Sequence, residues 1–245
     1  MRKRIKVIAC EVLYREVCAC AAVSPLVLDL EFLPKGLHDL GSERMSTRLR
    51  ESIDRVDPER YEATILCYGL CNNGTLGLSC ATTLVIPRAH DCITLLVGSR
   101  ARYRELFDSH PGSYFKSPGW IERDSDPSLG ADTVVSRLGI SPRREDYARF
   151  YGEENADFLV EALGDWLKGY DRIVLVDTAQ GDVDAYRETC RSEAEKEGLS
   201  FDEVAGDLSL LRRLFSGEWD SEDFLVLPPG GKVAPVYDDR IIAAE

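Results

Sequence analysis

The chain has 245 residues, 44% of them apolar, and a formal net charge of -13 at pH 7. This length suits one large domain or two lobes that share a core. The acidic balance argues against a nucleic-acid partner and against an anionic membrane surface, since both favour a basic face. No apolar run is long enough to predict a transmembrane helix, and the apolar stretch near the N-terminus is too short for an export signal. We therefore expect a cytoplasmic protein with no nucleic-acid or membrane partner.

Apolar runs alternate with amphipathic segments along the first half of the chain. This pattern predicts strands at 5–10, 26–33, 63–67, 83–86 and 113–116. Between them it predicts helices at 11–23, 42–56, 76–81, 92–98 and 100–108. Asp91 precedes the fourth of these helices and is predicted to cap it. Strands separated by helical crossovers are typical of βαβ units and of a mostly parallel sheet.

The later half begins with a polar stretch at 121–142, which we interpret as a linker or excursion. Beyond it the pattern predicts helices at 144–151, 155–167, 184–197 and 208–215, and strands at 171–176, 199–204 and 224–227. We divide the chain into an α/β core at 1–120, the linker at 121–142 and a second α/β part at 143–245. The predicted fold is Rossmann-like α/β, a mostly parallel sheet with helices on both faces. The later half either completes that sheet or forms a second lobe.

Several of the eight cysteines stand where predicted strands end. In a cytoplasmic chain of this size they argue against a disulfide scaffold. Cys10 ends the first strand, Cys67 ends the third, and Cys71 follows four residues later. His90 and Cys92 come just after the fourth strand. Because parallel strands end at one edge of a sheet, these side chains are expected to share a crevice there.

Thiolates and an imidazole gathered in this way predict a soft-metal site. Zinc would bind Cys10, Cys67, Cys71 and either His90 or Cys92. The four cysteines would also suffice for a 4Fe-4S cluster, although the dense cysteine spacing of bacterial ferredoxins is missing. Burial as small apolar side chains is the alternative for the cysteines, and a surface loop position is the alternative for His90.

Two other strand ends carry residues suited to binding a small-molecule substrate. Lys116 and Trp120 follow the strand at 113–116, where an ammonium and an aromatic ring could line a pocket. Asp177 follows the strand at 171–176, where it could form a pocket lip or cap a helix. No glycine-rich phosphate loop, Walker sequence or nucleophile elbow occurs. The catalytic residues are therefore left unassigned.

Five segments give the chain a resemblance to a known family: Ile8-Ala9-Cys10-Glu11, Leu66-Cys67-Tyr68-Gly69-Leu70-Cys71-Asn72-Asn73-Gly74, Pro87-Arg88-Ala89-His90-Asp91-Cys92, Leu96-Val97-Gly98-Ser99-Arg100 and Tyr114-Phe115-Lys116-Ser117-Pro118-Gly119-Trp120. The chain resembles an uncharacterised domain-of-unknown-function family of bacteria and methanogenic archaea. Genes of that family often lie near corrinoid-dependent methyltransferases. The resemblance therefore implies a link to methyl-group metabolism, with a corrinoid protein or methyltransferase as partner, and supplies no established reaction.

Together these observations predict a metal-thiolate α/β protein, with zinc or an iron–sulfur cluster, that serves corrinoid-linked one-carbon metabolism. As an enzyme it would carry out metal-dependent methyl transfer or act in a redox accessory role. One alternative is a non-catalytic accessory protein whose metal site senses, delivers or stabilises. The other is a metal-free small-molecule binder with reactive thiols in the crevice.

Overall fold

Five strands form the larger sheet of this computed structural model, which describes residues 4–40, 42–71, 73–124 and 169–245. Their order is β2-β1-β3-β4-β8. The first four are parallel, whereas β8 runs antiparallel to β4. The strands are β1 (Arg4–Cys10), β2 (Val27–Leu33), β3 (Ala63–Cys67), β4 (Thr83–Pro87) and β8 (Phe224–Leu227). All five residues of β3 are buried, which suits a central strand covered on both faces.

A second, smaller sheet is built from three parallel strands in the order β5-β6-β7. These are β5 (Ser113–Lys116), β6 (Arg172–Asp177) and β7 (Ser200–Ala205). A two-stranded antiparallel ribbon joins β9 (Val233–Pro235) to β10 (Ile242–Ala244). The sequence left open whether the later half of the chain extends the first sheet or forms a separate part. It does both, because β8 joins the first sheet while β6 and β7 form a second sheet with β5.

Helices flank the sheets and begin at residues suited to satisfy free backbone N–H groups. Asp91, Ser99 and Asp182 each accept a hydrogen bond from a backbone N–H in the first turn of the helix that follows. The helices are α1 (Tyr14–Ala22), α2 (Ser42–Ile53), α3 (Cys92–Leu96), α4 (Arg100–Ser109), α5 (Pro118–Asp124), α6 (Val183–Glu197) and α7 (Ser209–Ser216). Short 3-10 helices span Glu11–Leu13 and Lys35–Leu40. No helix among the described ranges is long and apolar enough to cross a membrane.

These elements confirm the predicted Rossmann-like α/β fold, and several of them differ locally from the predictions. The helix predicted at 76–81 is wrong, because this backbone forms hydrogen bonds with the first residue of β9 instead. The Gly77 N–H donates to the Val233 carbonyl at 2.8 Å, and the Val233 N–H donates to Leu78 at 3.0 Å. Conversely, α5 extends into the stretch at 121–142 that the sequence predicts as a linker or excursion. Pro118 stands at its first position, where a missing N–H is harmless. The predictions at 125–142, 144–151 and 155–167 lie outside the described residues.

The strand order sets a topological switch point between β1 and β3. From β1 the chain crosses to β2 on one side, and from β2 it returns across β1 to β3 on the other side. The carboxyl ends of strands at such a switch point are where open α/β sheets bind their ligands. Cys10 ends β1 and Cys67 ends β3, so the cysteine-bearing segments lie at this switch point.

Candidate functional site

The register between β1 and β3 decides which face of the sheet the Cys10 side chain lies on. Ala9 lies beside Cys67 in the parallel pairing, and successive side chains of a strand point to opposite faces. Cys67 therefore shares a face with Ala9, whereas Cys10 lies on the other face. Tyr68, which follows Cys67, shares that other face, and the Tyr68 hydroxyl and the Cys10 thiol are close enough to shift each other's pKa. Cys10 and Tyr68 are both buried.

The loop after β3 is held against the loop after β4 by backbone hydrogen bonds. The Leu70 N–H donates to the Ala89 carbonyl at 2.7 Å, and the Cys71 N–H donates to the His90 carbonyl at 3.0 Å. Gly69 makes this approach possible, since a Cβ there would lie 2.6 Å from the Asp91 nitrogen. Cys71 has a φ of 42°, in the left-handed region that a non-glycine residue seldom adopts. The contact between the loops thus fixes a strained cysteine beside Asp91.

Cys92 begins α3 and is fixed from two sides. Asp91 caps the helix by accepting from the Thr94 N–H at 3.2 Å, and it also accepts from the Tyr103 hydroxyl at 2.9 Å. From the second sheet, the Trp120 Nε1 donates to the Cys92 sulfur at 3.2 Å. Helix α5, which follows β5, therefore packs against Cys92 at the carboxyl end of the first sheet.

Close packing at Gly119 brings Trp120 to this position. A Cβ at Gly119 would lie 1.7 Å from the Val12 carbonyl oxygen, so only glycine permits α5 to dock so closely on the segment after β1. The Lys35 ammonium lies 4.6 Å from the centroid of the Trp120 ring, a cation–π distance. The indole is thus held between a cation and a thiol.

Cys10, Cys71 and Cys92 lie in one neighbourhood, where Cys10 contributes to the pKa of Cys71 and both contribute to the pKa of Cys92. Burial raises the pKa of the Cys10 thiol to about 12. It also raises the pKa of Cys71, with further contributions from Cys10 and Asp91. The pKa of Cys92 is raised by burial first, then by Asp91, Cys71 and Cys10. Without a compensating cation, the three sulfurs are therefore neutral thiols at neutral pH.

Neighbouring groups partly oppose this effect of burial on the pKa of each of the three thiols. The Val12 backbone and the Tyr68 hydroxyl lower the pKa of Cys10, opposing the effect of burial. The Gly69 backbone does the same for Cys71, and the Trp120 indole does so for Cys92. Hydrogen bonds to sulfur are typical of the surroundings of metal-bound thiolates.

Cys67 and His90 occupy different surroundings from these three thiols. Burial raises the pKa of Cys67, and the largest charge contribution comes from Cys20 of α1, ahead of Cys10 and Cys71. This order fits the face of the sheet assigned to Cys67 by register. His90 contributes its carbonyl to Cys71, but its side chain is exposed and lines a neighbouring cavity.

The three residues predicted to bind substrate have protein partners. Lys116 is buried and forms an ion pair with Glu193. The Asp177 carboxylate accepts from the Ala179 N–H at 2.7 Å and so closes the turn after β6. Trp120 contacts Cys92, as described above. Across the described residues, no group of three or more His, Cys, Asp or Glu side chains is arranged to hold a metal ion.

Two buried polar side chains, Tyr68 and Glu16, were not singled out from the sequence. Tyr68 adjoins Cys67, and alternation of faces beyond β3 was the signal that would have placed it beside Cys10. Glu16 is fully buried on α1, where its Oε1 accepts from the Thr178 hydroxyl at 2.6 Å. Its position one residue after the charged Arg15 gave no sign of burial, because the covering loop after β6 lies 162 residues away.

Comparison with known proteins assigns the chain to a family without assigning it an activity. A family model described as a protein of unknown function, DUF1638, matches residues 32–215. This segment includes Cys67, Cys71 and Cys92, and Cys10 precedes it. No curated protein and no solved structure matches the chain. The match confirms the resemblance to a domain-of-unknown-function family, and the chain belongs to the DUF1638 family of proteins of unknown function.

Proposed function

We propose that Cys10, Cys71 and Cys92 bind a soft metal and that the protein serves corrinoid-linked methyl-group metabolism. The observation that carries the metal site is that three thiols linked by shifts in pKa lie at or after the carboxyl ends of β1, β3 and β4, with the Trp120 indole donating to the Cys92 sulfur. Open α/β sheets place ligands at these strand ends, and thiolates select zinc or iron–sulfur centres.

The raised pKa values of the three thiols favour a bound cation, which would stabilise their thiolate forms. Burial and mutual repulsion oppose ionisation of three neighbouring thiols, as the raised pKa values of Cys10, Cys71 and Cys92 record. A bound metal reverses this balance, because a coordinating thiol loses its proton outright. The donors from Val12, Gly69 and Trp120 would then stabilise thiolates that are already formed. Loading would also require the sulfurs to move together, since no metal-holding group is formed in the described residues.

Three neighbouring thiols favour zinc over an iron–sulfur cluster. A 4Fe-4S cluster takes four cysteine ligands, and the fourth candidate, Cys67, lies on the opposite face of the sheet from Cys10. Zinc on three protein ligands keeps one position for a substrate or water. There it would lower the pKa of a substrate thiol and hold it as a nucleophile.

The resemblance of the strand-end segments supports the metabolic part of the proposal. A zinc-bound substrate thiolate would attack the methyl group of a methyl-corrinoid. Its sulfur lone pair forms the new S–C bond, and the Co–C electron pair stays on cobalt. The partners are then a small thiol and a corrinoid protein or methyltransferase. The proposed reaction is tested by incubating zinc-loaded protein with methylcobalamin and a thiol, and following the loss of methylcobalamin absorbance. A rate no higher than that of the metal-free control would refute methyl transfer, and the proposal would then reduce to an accessory role in metal sensing or delivery.

The metal site is tested by elemental analysis and a visible spectrum of protein purified without oxygen. We expect about one zinc per chain and no visible absorption, whereas a broad visible band and bound iron would identify a cluster. Cys10→Ser, Cys71→Ser and Cys92→Ser should each lose the metal. Cys190→Ser is the matched control, because Cys190 is equally buried but packs in the core of the second sheet. Full metal loading of both Cys71→Ser and Cys92→Ser would refute the site.

A further inference from the structure

A cavity of about 560 Å³ lies beside the thiol cluster, between α4 and the segments at 222–223 and 239–241. Its volume falls in the range of small-molecule sites. Tyr103 links the cavity to the cysteine site. It lines the cavity, and its hydroxyl donates to Asp91, the residue before Cys92. No residue in the cavity belongs to the three proposed metal ligands, so the cavity is a separate feature.

One wall of the cavity is aromatic. Tyr103 and Phe107 stand one turn apart on α4, with ring centroids 6.1 Å apart and planes inclined by 17°. The His90 ring extends the same wall, 6.3 Å from Tyr103. Phe107 is 43% exposed, although a large apolar side chain is usually covered. The wall therefore offers an open aromatic surface to a ligand.

The charged groups around this wall favour a positive ligand. Four carboxylates line the cavity, from Asp108, Glu222, Asp223 and Asp239, against two guanidinium groups. Both guanidinium groups already hold protein partners. Arg100 donates to the Glu222 carbonyl at 2.8 Å and also to the Asp239 carbonyl, and Arg104 pairs with Asp239 at 2.6 Å. Carboxylates of the lining are paired as well, since Glu222 contacts Arg100 and Asp223 contacts Arg213. The lining still holds two more carboxylates than guanidinium groups, and this excess negative charge disfavours an anionic ligand.

We propose that this cavity binds a small organic cation whose apolar substituents pack on Tyr103 and Phe107. An aromatic face attracts a substituted ammonium through its quadrupole, and nearby carboxylates add long-range attraction. This proposal goes beyond the metal site and does not depend on it, since the cavity residues and the three thiols are different groups.

The test compares three ligands of one shape and different charge. Choline is the cation, 3,3-dimethyl-1-butanol is its neutral carbon isostere and 3,3-dimethylbutanoate is the anionic analogue. We expect choline to bind about threefold or more tighter than the neutral isostere, and the anion to bind most weakly, by NMR titration of metal-free and metal-loaded protein. Equal or tighter binding of the neutral isostere, or no binding of choline, would overturn the proposal. Equal affinity for choline in the metal-free and metal-loaded protein would show that this site does not depend on the proposed metal function.

Two variants locate the binding in the cavity. Phe107→Leu keeps an apolar side chain but loses the ring, so it should weaken choline binding and leave the neutral isostere unchanged. Glu222→Gln removes one charge from a side chain that is 85% exposed, so the fold should tolerate it. Phe201→Leu is the control, since Phe201 lies on β7 and carries its own cation contact with Arg191 at 5.3 Å. Unchanged choline affinity in both cavity variants would refute the assignment.

Discussion

The Trp120 indole nitrogen lies 3.2 Å from the Cys92 sulfur, and this contact joins the two sheets at their carboxyl ends. Trp120 follows β5 of the smaller sheet, whereas Cys92 follows β4 of the larger one. The donor therefore reaches the thiol from an element that is 28 residues away in the chain. Helix α5, which carries Trp120, is anchored by the close approach of Gly119 to Val12.

Replacing Trp120 with phenylalanine should weaken metal binding without removing it. The ring would still fill its place, but the hydrogen bond to the Cys92 sulfur would be lost. Loss of a group that orients or stabilises a metal ligand commonly costs about 10- to 100-fold in affinity. Competition with a zinc chelator measures this change. Trp219→Phe is the control, since its indole donates to the Leu214 carbonyl at 2.7 Å. Equal affinity in Trp120→Phe and the unmodified protein would contradict the role of this hydrogen bond.

Adding a methyl group at Gly69 should separate the two cysteine loops. A Cβ there would lie 2.6 Å from the Asp91 nitrogen and 2.7 Å from its Cα, and neither backbone atom can move aside cheaply. We expect Gly69→Ala to lower the free energy of unfolding by about 1–3 kcal/mol and to reduce metal loading. Urea unfolding and elemental analysis measure the two effects.

Gly36→Ala provides the comparison for Gly69→Ala. A Cβ at Gly36 has nothing within 4 Å, so this variant should match the unmodified protein in stability and metal content. If Gly69→Ala behaved like Gly36→Ala, the close approach of the two loops would have no part in building the site.

In metal-free native protein, the clustered thiols should resist alkylation. Burial raises the pKa of Cys10 to about 12, so almost none of it is thiolate at neutral pH. Cys18 is partly exposed, so it should react first with iodoacetamide despite its own raised pKa. Peptide mass spectrometry after timed quenching gives the order of modification. Labelling of Cys10, Cys71 or Cys92 as fast as Cys18 would show that these sulfurs are reactive thiolates.

Glu16 should make the protein less stable as the pH rises above the ordinary carboxyl range. Burial raises the pKa of Glu16 from 4.5, and its Oε2 has no hydrogen-bond partner among the described residues. Between the unfolded and folded pKa values the folded state binds more protons, so stability declines with increasing pH across that window. Glu16→Gln should remove this decline.

Urea unfolding of Glu16→Gln at several pH values from the acidic range to neutrality tests this expectation. Glu188→Gln, on the exposed face of α6, is the control and should keep the decline seen in the unmodified protein. A Glu16→Gln variant with the same pH dependence as the unmodified protein would assign the effect to other groups.

The alternation of strands and helices was readable from the sequence because each element is set by local patterns. The apolar runs of β1 and β3 predict their ends at Cys10 and Cys67, and Asp91 predicts the start of α3, since a cap acts within one turn. The helix predicted at 76–81 failed for the opposite reason. Gly77 and Leu78 bond to Val233, a partner that no local pattern could reveal.

By itself, the sequence determined the Rossmann-like alternation and the placement of cysteines at strand ends, because side-chain periodicity and turn residues act over a few positions. Only the tertiary structure decided which of those cysteines face one another. The register of β1 with β3 turns Cys10 and Cys67 to opposite faces, and the docking of Gly119 on Val12 brings Trp120 to Cys92. Such choices depend on contacts between residues that are distant along the chain, and their geometry exists only once the sheets have packed.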